Sequence, residues 1–234
     1  MSPEVRTIAQ SGISAVSVYM RQVYQWMTAG LAATAAVAYG VAGSPGLQEV
    51  ILGNTIVMIG LVIAQFGLVI ALSSSVHKMS ASTATALFLL YSILTGAVLS
   101  SVFVIYPIAS ISNAFLVTAG TFFAMSVYGT VTKRDLTAFG SFLGMGLIGL
   151  IIAMLVNVFL KSSMMDFIVS CLGVLIFTGL TAYDTQKIRN FGLGAPLSDG
   201  TAMRRGAILG ALTLYLDFIN LFLMMLRFFG GNRD

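Results

Sequence analysis

The amino-acid sequence predicts an all-α membrane protein, a bundle of seven transmembrane helices, on three observations. Hydrophobic residues make up 58% of the 234 and charged residues only 9%, against about 25% charged in a typical soluble domain. That is too little charge to clothe an ordinary core in a polar surface. Seven apolar stretches follow one another along the chain, each about 20 residues long, the length a helix needs to cross hydrocarbon at ~1.5 Å per residue. The lysines and arginines gather on alternate connections. A transmembrane β-barrel is disfavoured, because Leu147 to Val156 is almost unbroken apolar sequence where a barrel strand would alternate.

Residues 1–21, with Glu4 and Arg6 among Ser, Thr and Gln, lack the apolar h-region and cleavage site of a secretory signal and read as a short retained tail. The first span, 22–42, carries Tyr24 and Trp26 near its start, where the aromatic belt of a membrane interface would lie. Gly43-Ser44-Pro45-Gly46 is turn chemistry and leads to the second span, 51–72. A polar run from Ser73 to Ser82, holding His77 and Lys78, precedes the third span, 84–106. Pro107 marks a tight turn into the fourth, 108–130, with Tyr106 and Tyr128 near the membrane edges. Lys133-Arg134-Asp135 introduces the fifth span, 138–160, and a short break leads to the sixth, 164–186. The link from Arg189 to Arg205 contains Gly192, Gly194, Pro196 and Gly200 and reads as mobile; the seventh span, 207–228, follows, with a tail at 229–234. The seven spans form one domain, 22–228.

Orientation comes from the positive residues, which favour the cytoplasmic side. Nine of them, Arg6, Arg21, Lys78, Lys133, Arg134, Lys187, Arg189, Arg204 and Arg205, fall on the N-terminal side, and three, Lys161, Arg227 and Arg233, on the other. The N-terminus is therefore expected inside and the C-terminus outside. Small residues abound in the spans and allow close helix approach; Gly140/Gly144 and Gly206/Gly210 are GxxxG pairs that compete with plain close packing as an explanation.

Composition excludes several functions. The formal charge of +4 is not clustered on a soluble face, so no nucleic-acid groove can be assembled. One cysteine, Cys171, and one histidine, His77, exclude an intramolecular disulfide and a structural zinc site. Gly144 to Gly149 matches GxGxxG, but in mid-span, without the strand and polar βαβ setting of a dinucleotide site. There is no phosphate loop and no HExxH, and His77, a loop residue beside Lys78, is a poor base for any serine. The chain is not expected to be an enzyme or to carry a cofactor.

Two carboxylates stand out. Asp184 and Asp217 both fall in predicted spans, and an aspartate at a helix centre costs roughly 2.5 to 3.5 kcal/mol on the biological insertion scale. Asp184 has Lys187 at i+3 and reads either as an interfacial ion pair or as half of a functional pair. Asp217 has no charged neighbour within a few turns and reads either as a structural hydrogen-bonding group or as the other half. Meeting inside the bundle, two carboxylates would share a proton and sense pH. Both ionised, they would suit a hard cation such as Ca²⁺. Asn220, one turn from Asp217, and Tyr183 and Tyr215 beside the acids, are candidate polar supports.

Phe177-Thr178-Gly179-Leu180-Thr181-Ala182-Tyr183-Asp184-Thr185-Gln186 and Ala211-Leu212-Thr213-Leu214-Tyr215-Leu216-Asp217-Phe218-Ile219-Asn220-Leu221-Phe222 resemble the Bax inhibitor 1 family, and Lys78-Met79-Ser80 with Leu87 to Gly96 is similar to its third helix. The resemblance covers nearly the whole chain from Arg21 and looks bacterial. It implies seven helices with the last central, a pH-sensitive calcium leak in the inner membrane, and Asp184 and Asp217 as the sensor. It also exposes departures. Where calcium-conducting relatives often carry a glutamate in the second helix and an arginine about three turns later, this chain has Gln65 and Ser75. Gln65 is thus a position to test as pore lining or as a polar link between helices.

The leading expectation is a proton-regulated calcium leak whose ligands are protons and calcium and whose surroundings are the bilayer. A second is a membrane regulator that binds other proteins, such as a membrane-bound quality-control protease or a stress factor. An intramembrane aspartyl enzyme is a third class, but Thr185-Gln186 and Phe218-Ile219 are unlike the known motifs of such proteases.

Overall fold

A computed structural model describes residues 3–194 and 199–230; side chains are described from residue 16 onward, apart from His77 and Gly194. The described residues form helices with no strand: α1 (Pro3–Ala42), α2 (Pro45–Ile51), α3 (Thr55–Ser75), α4 (Ala81–Ile105), α5 (Ile108–Val131), α6 (Thr137–Leu160), α7 (Ser163–Gly194) and α8 (Gly200–Gly230). Six of these, α3 to α8, are long and apolar enough to cross a membrane. The count becomes seven if α1 and the short α2, bent by 105° at the break between them, make one broken span. The predicted all-helical membrane bundle is what the chain forms.

The helix boundaries have local causes. Pro45 stands at the start of α2, where its missing N–H costs nothing. Asn54 caps α3, its Oδ1 accepting from the N–H of Ile56 at 3.0 Å and of Val57 at 3.3 Å. Asp199 does the same for α8, accepting from Thr201 N at 2.9 Å and Ala202 N at 3.0 Å. The link read from Arg189 to Arg205 is shorter than that span, and its residues 195–198 lie outside the described residues. Residues 189–194 continue α7 and 200–205 already belong to α8, because polar residues at the membrane edge extend a helix as readily as they end one. Pro196 lies outside the described residues, as do residues 231–234 of the C-terminal tail and residues 1–2 of the N-terminal one. Residues 3–21, read as a tail, are helical and continuous with the first span.

The spans are apolar on every face and yet exposed. Only 6% of the most apolar window of α3 is buried, and 17% of that of α6. Phe142, Met145, Ile148, Ile152, Leu155 and Phe159 stand open along α6. Such helices are stable only against lipid. The last helix is the exception. In α8 the buried share is 67%, the largest of the six.

The chain folds into two compact units, one of residues 1–105 and 189–215, the other of residues 106–188 and 216–234. In the first, α1 and α4 approach closely at Gly96, where a Cβ would lie 2.6 Å from the Thr34 carbonyl oxygen. Tyr215 is fully buried there, edge-on to Phe88 and Tyr91 with ring centroids 5.8 Å away in each case. In the second, α5, α6, the larger part of α7 and the end of α8 pack together. Gly129 of α5 meets the Ala182 carbonyl of α7 so closely that no side chain fits, and Gly140 of α6 lies flat against the Tyr183 ring. Gly144, by contrast, has open space around it. Gly140 and Gly144 are therefore not one contact seam, since a single tyrosine decides the packing. Gly206 of the other pair packs near the rings of Phe191 and Tyr19.

Candidate functional site

Both aspartates belong to the second unit. Asp184 sits on α7, half-buried, and Asp217 on α8, only 5% exposed. They lie within electrostatic reach of each other, and Lys187 is within reach of Asp184. The ammonium of Lys187 is placed over the ring of Tyr183, 5.8 Å from its centroid. The helical frame explains how the pair is presented. Gln186, buried two residues after Asp184, accepts from Leu136 N at 2.9 Å and donates to the Arg134 carbonyl at 2.8 Å. The α5–α6 connection is thereby clamped to α7. On the other side, Phe218 is held edge-on by Phe122 at 5.4 Å and Phe115 at 5.8 Å, which fixes α8 at the residue following Asp217.

One atom is exceptional. Oδ2 of Asp217 is buried and has no hydrogen-bond partner among the described residues, a condition that costs about 1 to 3 kcal/mol for an ordinary polar group and more for a charge. Three hydroxyls share it: Thr118 and Ser126 of α5 and Thr185 of α7, all in the second unit. Thr118 and Ser126 fall on the same stripe of α5 as Phe115, Phe122 and Gly129, spaced three and four residues apart. That stripe faces both α8, through the phenylalanines, and α7, through Gly129. The second unit thus holds four buried polar oxygens without partners, three on hydroxyls and one on a carboxyl group. These hydroxyls escaped the sequence reading, because a threonine or serine in a span is cheap and common. Their helical spacing from Phe122 and Gly129 was the available signal.

The other predicted residues are distributed differently. Tyr215, two residues before Asp217, belongs to the first unit. Its hydroxyl meets Thr34 Oγ1 at 2.6 Å, and since Thr34 donates to the Ser92 carbonyl at 2.9 Å, the tyrosine is the donor. Tyr183 packs its ring on Gly140. Asn220 donates to the carbonyl of Leu216, one turn earlier on its own helix, at 2.8 Å. Gln65, half-buried on α3, donates to the Leu94 carbonyl of α4 at 3.3 Å in the first unit. Among the described residues, no three of His, Cys, Asp and Glu gather as a metal-holding group.

Residues 16–234 match the model of the family described as Inhibitor of apoptosis-promoting Bax1. The chain belongs to the Bax inhibitor 1 family. It is 54% identical over 215 residues to the inner membrane protein YbhL of Escherichia coli (strain K12), covering 92% of each chain. It is 49% identical to an uncharacterized protein of Borreliella burgdorferi, covering 92% of this chain and 93% of that one. A third relative, from Deinococcus radiodurans, is 43% identical over 99% of this chain and 97% of its own. This Bax inhibitor 1 family member is therefore a bacterial one, and its apolar helices together with the YbhL likeness mark it as an integral inner membrane protein.

Proposed function

We propose that the protein is a pH-sensitive calcium leak of the inner membrane in which Asp184 and Asp217 share a proton. The observation that carries this reading is the Asp217 carboxyl group, buried with one oxygen unpartnered and within electrostatic reach of a second carboxyl on the neighbouring helix. Membrane interiors retain such groups for ion or proton traffic, because structure alone is better served by an apolar residue. With the proton on, the two acids are compatible with a closed, dry packing. With it off, like charges press α7 and α8 apart or draw in a cation, and carboxylate and carbonyl oxygens suit Ca²⁺. Two carboxylates without a third acid form a transit point for a permeant ion better than a resident site.

The test is calcium flux into dye-loaded liposomes over a pH series for wild type, Asp184→Asn, Asp217→Asn and the double variant, with thermal stability measured on the same four proteins. Each single variant is expected to flatten the pH dependence, and the double to add little, because removing one member already breaks the unit. A pH response of wild-type midpoint and amplitude in both single variants would refute the sensor. No flux above empty liposomes at any pH would remove the channel itself.

A further inference from the structure

The second unit contains a cavity of about 670 Å³ where α6 passes into α7 and α8 ends, within the range of roughly 300 to 1,000 Å³ usual for small-molecule sites. It involves neither Asp184 nor Asp217, and its chemistry is of another kind. Lys161, Asp166 and Arg227 give it two positive charges and one negative, while Phe167 and Phe228 give it an apolar flank, their rings stacked at 5.8 Å.

The polar side is built on buried anchors. Asn157, 6% exposed, donates through Nδ2 to Asp166 Oδ1 at 2.7 Å and to the Ser162 carbonyl at 3.2 Å, and its Oδ1 accepts from Ser162 N at 3.0 Å. Ser170, 1% exposed, donates to the Asp166 carbonyl at 2.7 Å. Between them Lys161 takes a left-handed backbone, φ 50°, with its N–H on the Asn157 carbonyl at 2.8 Å. A lysine is an expensive choice for a position where glycine is the usual helix terminator. Arg227 has an ordinary explanation as a cation in the last turn of α8. The same explanation extends to Lys161, which closes α6, and to Asp166 in the first turn of α7, but it does not account for all three charges lining one cavity.

Depth decides the ligand class. The cavity opens where two spans meet and a third ends, which is headgroup level for helices that cross the membrane. An arginine fork and a lysine point charge together match a phosphate. The second oxygen of Asp166 matches an ammonium, and the phenylalanines match hydrocarbon. We propose that this cavity seats the headgroup of an amine-bearing glycerophospholipid, phosphate on Lys161 and Arg227 and ammonium on Asp166, with the acyl chains leaving past Phe167 and Phe228.

The test is native mass spectrometry of the purified full-length protein titrated with phosphatidylethanolamine, with phosphatidylglycerol, and with soluble glycerophosphoethanolamine. Wild type is expected to hold phosphatidylethanolamine best. Lys161→Gln with Arg227→Gln should weaken both lipids by about tenfold or more, the scale of losing charge-assisted hydrogen bonds. Asp166→Asn, which preserves an oxygen for Asn157, should keep phosphate binding and lose the preference for the amine. Thermal unfolding of each variant checks that the fold is intact, and both charge-neutral variants replace exposed groups. Equal lipid retention by wild type and the double variant would overturn the site. Competition by glycerophosphoethanolamine at the lipid's own concentration would overturn the lipid as its source, and a preference for phosphatidylglycerol would overturn the role of Asp166.

Discussion

Asp217 is the residue whose environment argues most against a purely structural role. Replacing a buried polar group that lacks a partner by an apolar one of similar shape removes a desolvation cost and loses little. Asp217→Leu is therefore expected to raise stability by about 1 to 3 kcal/mol while abolishing the pH response of calcium flux, and thermal unfolding beside the flux assay would show both. A structural aspartate would instead lose stability on this substitution. Two other carboxylates do not confuse the reading of pH. Asp135 is held below the usual carboxylate range by the Thr137 hydroxyl and backbone N–H, and Asp199 by the N–H groups of Ala202 and Thr201 with the charge of Arg205 nearby. A carboxyl whose folded value is lowered adds stability above its unfolded value and loses it only as pH falls through the folded one. Both groups thus act in the acid range below the ordinary carboxylate value and contribute no change near neutrality, so a response there belongs to another group.

At the scale of elements, close approach decides what each helix tolerates. At Gly129 a Cβ would strike the Ala182 carbonyl, which is backbone and cannot turn aside, whereas Gly144 faces open space. Gly129→Leu is expected to cost about 1 to 3 kcal/mol or more, and Gly144→Leu to leave stability unchanged or slightly raised, since leucine is the better helix former. Equal effects of the two in thermal unfolding would contradict the packing of α5 on α7. The α3–α4 contact invites a second experiment. Gln65→Glu removes the donor that meets the Leu94 carbonyl and should lower stability by roughly 0.5 to 1.5 kcal/mol with flux unaltered. A raised calcium flux in a folded Gln65→Glu protein would mark the position as pore lining.

For the whole molecule, orientation rests on the nine-to-three division of Lys and Arg, and on counting the bent α1–α2 pair as one span. A reporter fused after Asp234 is expected to be exported, and one inserted between Gly194 and Asp199 to stay in the cytoplasm. A cytoplasmic C-terminus would mean six crossings, with α1 lying outside the membrane and only α3 to α8 spanning it.

Helical class, the run of apolar spans and family were legible in the sequence because each is written in one dimension. Hydrocarbon thickness imposes a run length, lipid imposes composition, and the segments around Asp184 and Asp217 occur whole in the chain. The cost of an aspartate in a span likewise marked both acids without any knowledge of packing. What only the tertiary structure decided is which polar atoms go without partners and which find them. Tyr215 and Asp217 are two residues apart in sequence, yet the tyrosine donates a hydrogen bond to Thr34 in one unit while the aspartate in the other leaves an oxygen bare. The hydroxyls of Thr118, Ser126 and Thr185, and the cavity beside Lys161 and Arg227, were invisible for the same reason: hydrogen-bond satisfaction and enclosed volume depend on helices far apart in the chain, and apolar periodicity does not say which of them touch.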